Sequence, residues 1–386
     1  MANEEALREE AVALLLQGVS VTEVSRRLGR SRQWVDKWKK RYVEGSEQWS
    51  ASRSRAPLVR PRQTPESVEQ AVVESRKRLD ESPYMESGAY AIWHDLKNMG
   101  IAPPSVATIN RILSSHSMTR KKARYTKSGI DYPDVPLLTQ IMDLIGPRYI
   151  RGGQLYYLLT IICNETRWAG VYPILSKNGM DVTRSVVEFW KSFTVPDYLQ
   201  MDNELSFKGS NRYPKGLGLL LRTALSLNVT PRFIPVSEPW RNGVIERFNQ
   251  KVEKTLLNQQ HASFKDLQRH AREFVETHNS VHHYSPLEHK TPLQLVKDLD
   301  LPIVPLRADY VVGDRPRLDS GNLNEIDFIR LVRSDLLIDV LNTEVEIVPE
   351  LAYTYVEAKL LINEHQLQIR HNNTLYQTVD FVMPTE

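Results

Sequence analysis

Three acidic residues stand in contexts that can bring them to one place. Asp143 lies near the end of the β-rich run 139–144, Asp202 ends Leu199-Gln-Met-Asp202, and Glu246 stands in Asn242-Gly-Val-Ile-Glu-Arg-Phe-Asn249, near the start of a long predicted helix. Two acids at strand ends and one on a helix can converge on a single sheet edge, where α/β sheets place their ligands. Carboxylates are hard oxygen ligands of the kind Mg2+ takes, an ion that keeps several waters and shares substrate phosphates with few protein groups. A pair of such ions activates an attacking oxygen and stabilises a leaving one in an in-line displacement at phosphorus. Displacement at phosphorus is the chemistry this set predicts.

The elements that must position these acids follow from periodicity. Strands are predicted over 139–144, 154–163 and 168–174, with Gly152-Gly153 as turn chemistry between the first two. A helix over 181–192, a short strand over 198–201, a helix over 216–227, a strand over 231–234 and helices over 243–261 and 264–275 come next. Three adjacent strands followed by alternating helix and strand predict an α/β layered core. Beyond 302 only short strands are expected, over 328–332, 336–340, 344–347 and 355–361, and these predict a small β-barrel.

Charge marks the front of the chain. The net charge is +3, yet residues 1–128 hold 23 Lys and Arg against 15 Asp and Glu, whereas residues 301–386 hold 7 against 14. A basic front points to a polyanion, because Lys and Arg neutralising phosphates supply most non-specific nucleic-acid affinity. Helices over 4–17, 22–28 and 32–44, punctuated by Gly18 and Gly29 and capped by Ser31, predict a helix-turn-helix unit with Val35, Trp38 and Tyr42 facing its core. Arg32, Gln33, Lys37 and Lys40 then project from the third helix, where a recognition helix meets the major groove. A small helical protein-interaction unit is the alternative. Helices over 66–79, 90–99 and 105–113 predict a second helix-turn-helix, showing Thr108, Asn110 and Arg111. The linker 50–65 carries Arg53, Arg55, Arg60 and Arg62, and the connector 119–136 carries Lys121 and Lys122; either can follow a phosphate backbone. On the Glu246 helix, Arg247, Lys251 and Lys254 recur at i, i+4 and i+7 as a basic stripe along DNA, or as an ordinary solvated face.

Composition narrows the class. With 386 residues, 41% hydrophobic, 25% charged and no long apolar segment, the chain reads as a multidomain globular protein of the cytoplasm, not of a membrane. A single cysteine, Cys163, rules out an internal disulfide, and structural zinc is not expected from ten scattered histidines. His278, His282 and His283 read as structural or phosphate-contacting. The organisation expected is a helix-turn-helix domain at 1–49, a basic linker at 50–65, a second helix-turn-helix at 66–118, a basic connector at 119–136, a core with trailing helices at 137–298 and a β-barrel at 302–386.

The stretch from Asp143 to Phe248 resembles the catalytic core of DDE transposases of bacterial insertion sequences, a ribonuclease-H-like core shared with retroviral integrases. The resemblance runs through Gly153-Gln-Leu-Tyr-Tyr-Leu-Leu-Thr-Ile-Ile162, Arg167-Trp168, Tyr172-Pro173, Met201-Asp-Asn203 and Gly243-Val-Ile-Glu-Arg-Phe-Asn249, and continues into Thr277-His-Asn279 and Lys290-Thr-Pro292. It assigns catalysis and metal binding to Asp143, Asp202 and Glu246, with two Mg2+ ions, or Mn2+ in their place. It implies 3′-end cleavage and strand transfer by a nucleoid-associated homo-multimer on paired element ends, with DNA at the terminal repeats and at the target as partner. A catalytically inactive relative acting as a sequence-specific regulator is the alternative. Two departures stand out. Glu204 replaces the glycine that often follows the Asp-Asn pair, and 43 residues separate Asp202 from Glu246 where the common pattern has 35, the spacing of Glu238. Sequence context favours Glu246, with the extra residues inserted as a loop around 208–216, since loop insertions shift spacing without moving a site.

Overall fold

The computed structural model describes residues 4–45, 48–52, 64–119, 131–209, 215–236, 238–284, 287–299 and 301–384. They form two compact units, Met1–Thr64 and Pro65–Glu386.

The first unit is a three-helix bundle of α1 (Glu4–Leu16), α2 (Val21–Leu28) and α3 (Arg32–Val43). Ser20 and Ser31 accept the backbone N–H of Glu23 and Trp34, satisfying donors that the first turn of a helix leaves free. Gly29 ends α2 at φ 60°, a left-handed conformation that costs glycine little. Ala11, Val24 and Val35 are fully buried, and Trp38 closes this small core beneath the guanidinium groups of Arg8 and Arg41, 4.2 and 4.6 Å from its ring centre. Tyr42 departs from expectation: it is exposed and meets Trp49 edge-on, because the last turn of α3 runs beyond so short a core.

The second unit opens with α4 (Glu66–Glu81), α5 (Ala89–Asn98) and α6 (Val106–Ser115), packed around Val72, Ile92, Leu96 and Ile109 as a second helical triplet. The chain then lays down β1 (Thr139–Tyr149), β2 (Leu155–Cys163), β3 (Ala169–Ile174), α7 (Gly179–Ser192), β4 (Tyr198–Met201), α8 (Leu205–Lys208), α9 (Leu219–Ser226), β5 (Thr230–Phe233), α10 (Gly243–Thr255), α11 (Phe264–Val281) and α12 (Pro292–Asp298). Strands β1, β2 and β3 pair antiparallel, whereas β4 and β5 run parallel to β1, in the order β3-β2-β1-β4-β5. Alternation sends successive side chains to opposite faces. Met142, Leu159 and Ile161 thus meet α7 and α9 on one face, while Ile141, Leu158 and Ile162 meet α10 and α11 on the other.

The C-terminal segment does not form a separate barrel. Its strands β6 (Glu325–Leu331), β9 (Tyr355–Leu361), β10 (Gln366–His371) and β11 (Thr374–Asp380) extend the core sheet to nine strands, and only β7 (Leu337–Val340) and β8 (Thr343–Glu346) form a hairpin apart. The joint is β6, parallel to β5 with Arg232 opposite Asp327 and Phe233 opposite Phe328. Barrel closure removes exposed edges; here the core's open edge at β5 is covered by β6 instead. A buried charge network reinforces the seam: Arg232 lies 3.1 Å from Glu357 and 3.8 Å from Asp327, which Lys359 approaches at 3.3 Å.

Candidate active site

Asp143 belongs to the face of β1 that carries Ile141 and Ile145, so strand alternation aims it beneath α10. Its cross-strand partner on β2 is Thr160. The Thr160 hydroxyl donates to Asn249 Oδ1 at 2.8 Å, and Asn249 Nδ2 donates to Asp143 Oδ2 at 2.7 Å, while the Leu144 amide donates to Asp143 Oδ1 at 2.8 Å. Asn249 lies one helical turn beyond Glu246, so a single face of α10 carries an acid and the amide that orients another acid. Burial, reinforced by the charges of Asp202 and Glu246, pushes the Asp143 carboxyl up to about 6.

Asp202 follows β4, which runs parallel beside β1. The Glu204 amide donates to its Oδ1 at 3.0 Å, and burial raises its carboxyl above the usual range. The adjacent Asn203 is clamped: its Nδ2 donates to the Ile234 carbonyl at 2.7 Å, and its Oδ1 accepts from Arg330 Nη2 at 2.9 Å. Arg330, buried on β6, also donates to the carbonyls of Ile234, Ile329 and Asp339, and none of these partners is a carboxylate. A buried guanidinium from the C-terminal strands thus holds the residue next to Asp202. Sequence reasoning missed it, and its only signal was an arginine among the apolar residues of the expected strand 328–332.

Glu246 sits half-buried in the first turn of α10 and lines, with Asp143, Asn249, Gln250 and Arg148, an open cleft of about 510 Å3. Gln200 on β4 donates to Asn242 Oδ1 at 2.7 Å, both residues buried, and this bond ties the start of α10 to the strand that carries Asp202. Glu238, at the alternative spacing, is otherwise engaged: its Oε2 accepts from Arg241 Nε at 3.1 Å and from the Tyr355 hydroxyl at 2.7 Å. Where the extra residues were expected, the chain at Lys208–Gly209 meets Gly218 closely: the Gly218 amide donates to the Lys208 carbonyl, and a Cβ on Gly209 would fall 2.8 Å from the Gly218 nitrogen. Glu204, the additional acid, pairs with Lys177 at 2.8 Å. The oxygens of the three acids do not all lie within 4.8 Å of one another, so a shared ion would require side-chain rotation. The donor set suits a hard divalent cation, because the charges of Asp202 and Glu246 raise the proton affinity of the buried Asp143 and a cation relieves that repulsion.

Arg32, Gln33, Lys37 and Lys40 are exposed on α3. On α6, Asn110 and Arg111 are exposed, while Thr108 is half-buried with its hydroxyl 3.0 Å from that of the capping Ser105. Arg53, Arg55, Arg60, Arg62, Lys121 and Lys122 lie outside the described residues. Arg247 and Lys254 are exposed on α10, and Lys254 shares a cleft of about 1130 Å3 with Asn110. Lys251 breaks the expected stripe. It is buried, with Nζ 3.4 Å from His278 Nδ1, and burial pushes its ammonium down to about 8. The stripe fails because an 18-residue α11 packs on this side of α10. His278 is fully buried within hydrogen-bonding reach of the Arg167 carbonyl at 3.2 Å, and His283 stacks on His94 of α5 at 3.6 Å. These histidines join helices to one another.

Residues 2–49 match the family model of the homeodomain-like domain, and residues 227–292 match that of the integrase core domain, a stretch that contains Glu246 and the α10–α11 pair. Two stretches of the chain thus match known domain families, a homeodomain-like domain at its front and an integrase core domain over 227–292. Solved structures similar to it include the HTLV-2 integrase catalytic core domain in complex with magnesium, at 14% identity and TM-score 0.33 over 42% of this chain and 97% of that one. A simian T-cell lymphotropic virus intasome aligns at 12% identity and TM-score 0.37 over 76% of this chain and 97% of that one. No curated protein matches the sequence. Among the described residues no helix is long and apolar enough to cross a membrane.

Proposed function

We propose that this chain is a transposase that binds the terminal repeats of its own element through its helix-turn-helix units, cuts at the 3′ ends and joins them to target DNA. What supports this reading is the charge of Asp202 and Glu246 acting on Asp143, whose carboxyl burial and these two acids raise to about 6. These three side chains would hold two Mg2+ ions, which when bound neutralise charge at phosphorus and activate the attacking oxygen. Asn249 and the Leu144 amide each donate to one oxygen of Asp143 and so fix the orientation of this cleft-lining carboxylate. In the first reaction a water oxygen bonds to phosphorus, the 3′ oxygen leaves as a hydroxyl and the water's proton passes to solvent. In the second, that hydroxyl bonds to a target phosphorus and displaces a target 3′ oxygen, so no covalent protein intermediate forms. Joining two ends to one target calls for a multimer on DNA. The exposed residues of α3, together with Asn110, Arg111, Arg247 and Lys254, are the proposed DNA contacts.

A strand-transfer assay in Mg2+, with DNA ends taken from either side of the gene, tests the reading. Joined products lost with Glu246→Gln and retained with Glu238→Gln are expected. End binding without cleavage would instead indicate a regulator, and cleavage without joining a nuclease.

A further inference from the structure

We propose that His261, Asp266 and His270, at the turn from α10 to α11, form a binding site for a divalent transition-metal ion of the zinc class, separate from the three acids. Each offers one ligand atom, and these atoms all lie within 4.8 Å of one another. Ser263 caps α11 and sets its first turn, so Asp266 and His270, four residues apart, share a helix face toward the buried His261.

The surrounding hydrogen bonds are those of a ligand set. His261 Nε2 lies 3.0 Å from the Leu256 carbonyl and donates to it, which leaves the Nδ1 lone pair facing His270 Nδ1 at 2.9 Å. A ligating histidine characteristically gives its other N–H to a backbone carbonyl, which fixes tautomer and ring orientation. Asp266 Oδ2 accepts the Ala262 amide at 3.0 Å, and its Oδ1 accepts from Arg269 Nη2 at 2.6 Å.

In the metal-free chain a proton on His270 Nδ1 bridges the two rings, and His270 Nε2 accepts from Arg269 Nη2 at 2.7 Å. An ion would replace the bridging proton. That proton moves to His270 Nε2, 3.7 Å from Asp266 Oδ1, and the exposed Arg269 gives up its contact with this nitrogen while keeping its bonds to Asp266 Oδ1 at 2.6 Å and to Glu273 at 2.7 Å. Tetrahedral coordination at about 2.1 Å puts ligand nitrogens about 3.4 Å apart, so the rings need to open by about half an ångström. Two imidazoles and one carboxylate suit zinc with a position left for water, whereas the all-oxygen three-acid set suits Mg2+. The ion would brace the turn against which Tyr84 of the second helical triplet packs, its hydroxyl 3.4 Å from Gln259 Oε1 and its ring edge-on to Phe274.

The test is titration of the chelator-stripped full chain with Co2+, followed by its visible spectrum, and with Zn2+ by calorimetry. The wild type and Asp143→Asn are expected to show the same intense tetrahedral Co2+ bands, displaced by one Zn2+ per chain. His270→Ala, at a partly exposed position, should abolish the bands and weaken that Zn2+ by about 100-fold, and Asp266→Asn should weaken it by about tenfold. An unchanged spectrum and affinity in both variants would overturn the proposal, as would bands that vanish in Asp143→Asn.

Discussion

Asp143 stands in the middle of β1, which runs on past the expected end at 144 to Tyr149, and its charge is opposed by burial and by two neighbouring acids. Its folded pKa of about 6 exceeds its ordinary value of 3.8, so between those values the folded chain holds more protons than the unfolded one. Stability from this group is present at low pH and is lost as pH rises through about 6. Asp143→Asn should therefore stabilise the metal-free protein at pH 7 by about 1–2 kcal/mol, within the bound of 1.4 kcal/mol per pKa unit. Thermal unfolding checks this: Mg2+ should raise the Tm of the wild type and leave that of Asp143→Asn nearly unchanged, and a variant destabilised in chelator would refute the account. Arg330 is a positioning residue on the same scale. Arg330→Lys keeps the charge but loses the planar fork that reaches Asn203 and three carbonyls. Cleavage should fall by about tenfold or more with end binding intact, and Asn203→Ala in the Arg330→Lys background should add little, because interacting sites are not additive.

At the scale of elements, the strands after Pro302 belong to the catalytic sheet. β6 covers the edge of β5, stacks Phe328 on Phe233 at 5.2 Å and brings Arg330 to Asn203. A chain ending at residue 300 loses β6 and β9–β11 and should not unfold cooperatively, since it exposes β5 and the apolar residues that packed against the missing strands. A sharp calorimetric transition in that truncated chain would show the core to be independent. On the other side of the site, the Gln200–Asn242 bond and the Asn249–Asp143 bond fasten α10 at two places one helix turn or more apart, so α10 carries Glu246 as a fixed element.

For the whole molecule, the division at Thr64 separates a homeodomain-like unit from the unit that holds every candidate acid. Removing residues 1–64 should leave the Tm of the remainder within a few degrees of the full chain's and lower end-specific affinity by about 1,000-fold, toward the non-specific level. A gel-shift comparison of end and scrambled DNA measures it; undiminished discrimination would place recognition in the second triplet. Much of this organisation was legible in the sequence. Ser31 and Gly29 marked the limits of helices, and β-rich composition with the Gly152-Gly153 turn marked β1 to β3, because caps, composition and turn chemistry act over a few residues. What only the tertiary structure decided involves partners far apart in the chain. Lys251 is buried against His278, Arg330 reaches Asn203 across 127 positions, β6 adds to β5 where a barrel was expected, and His261 meets His270 across a turn. A cation in a helical stripe, or a run of short strands, fits several packings equally well by its local pattern. The choice among them is made by which surface each element must cover, and that is settled only when the sheet, α10 and α11 close around one core.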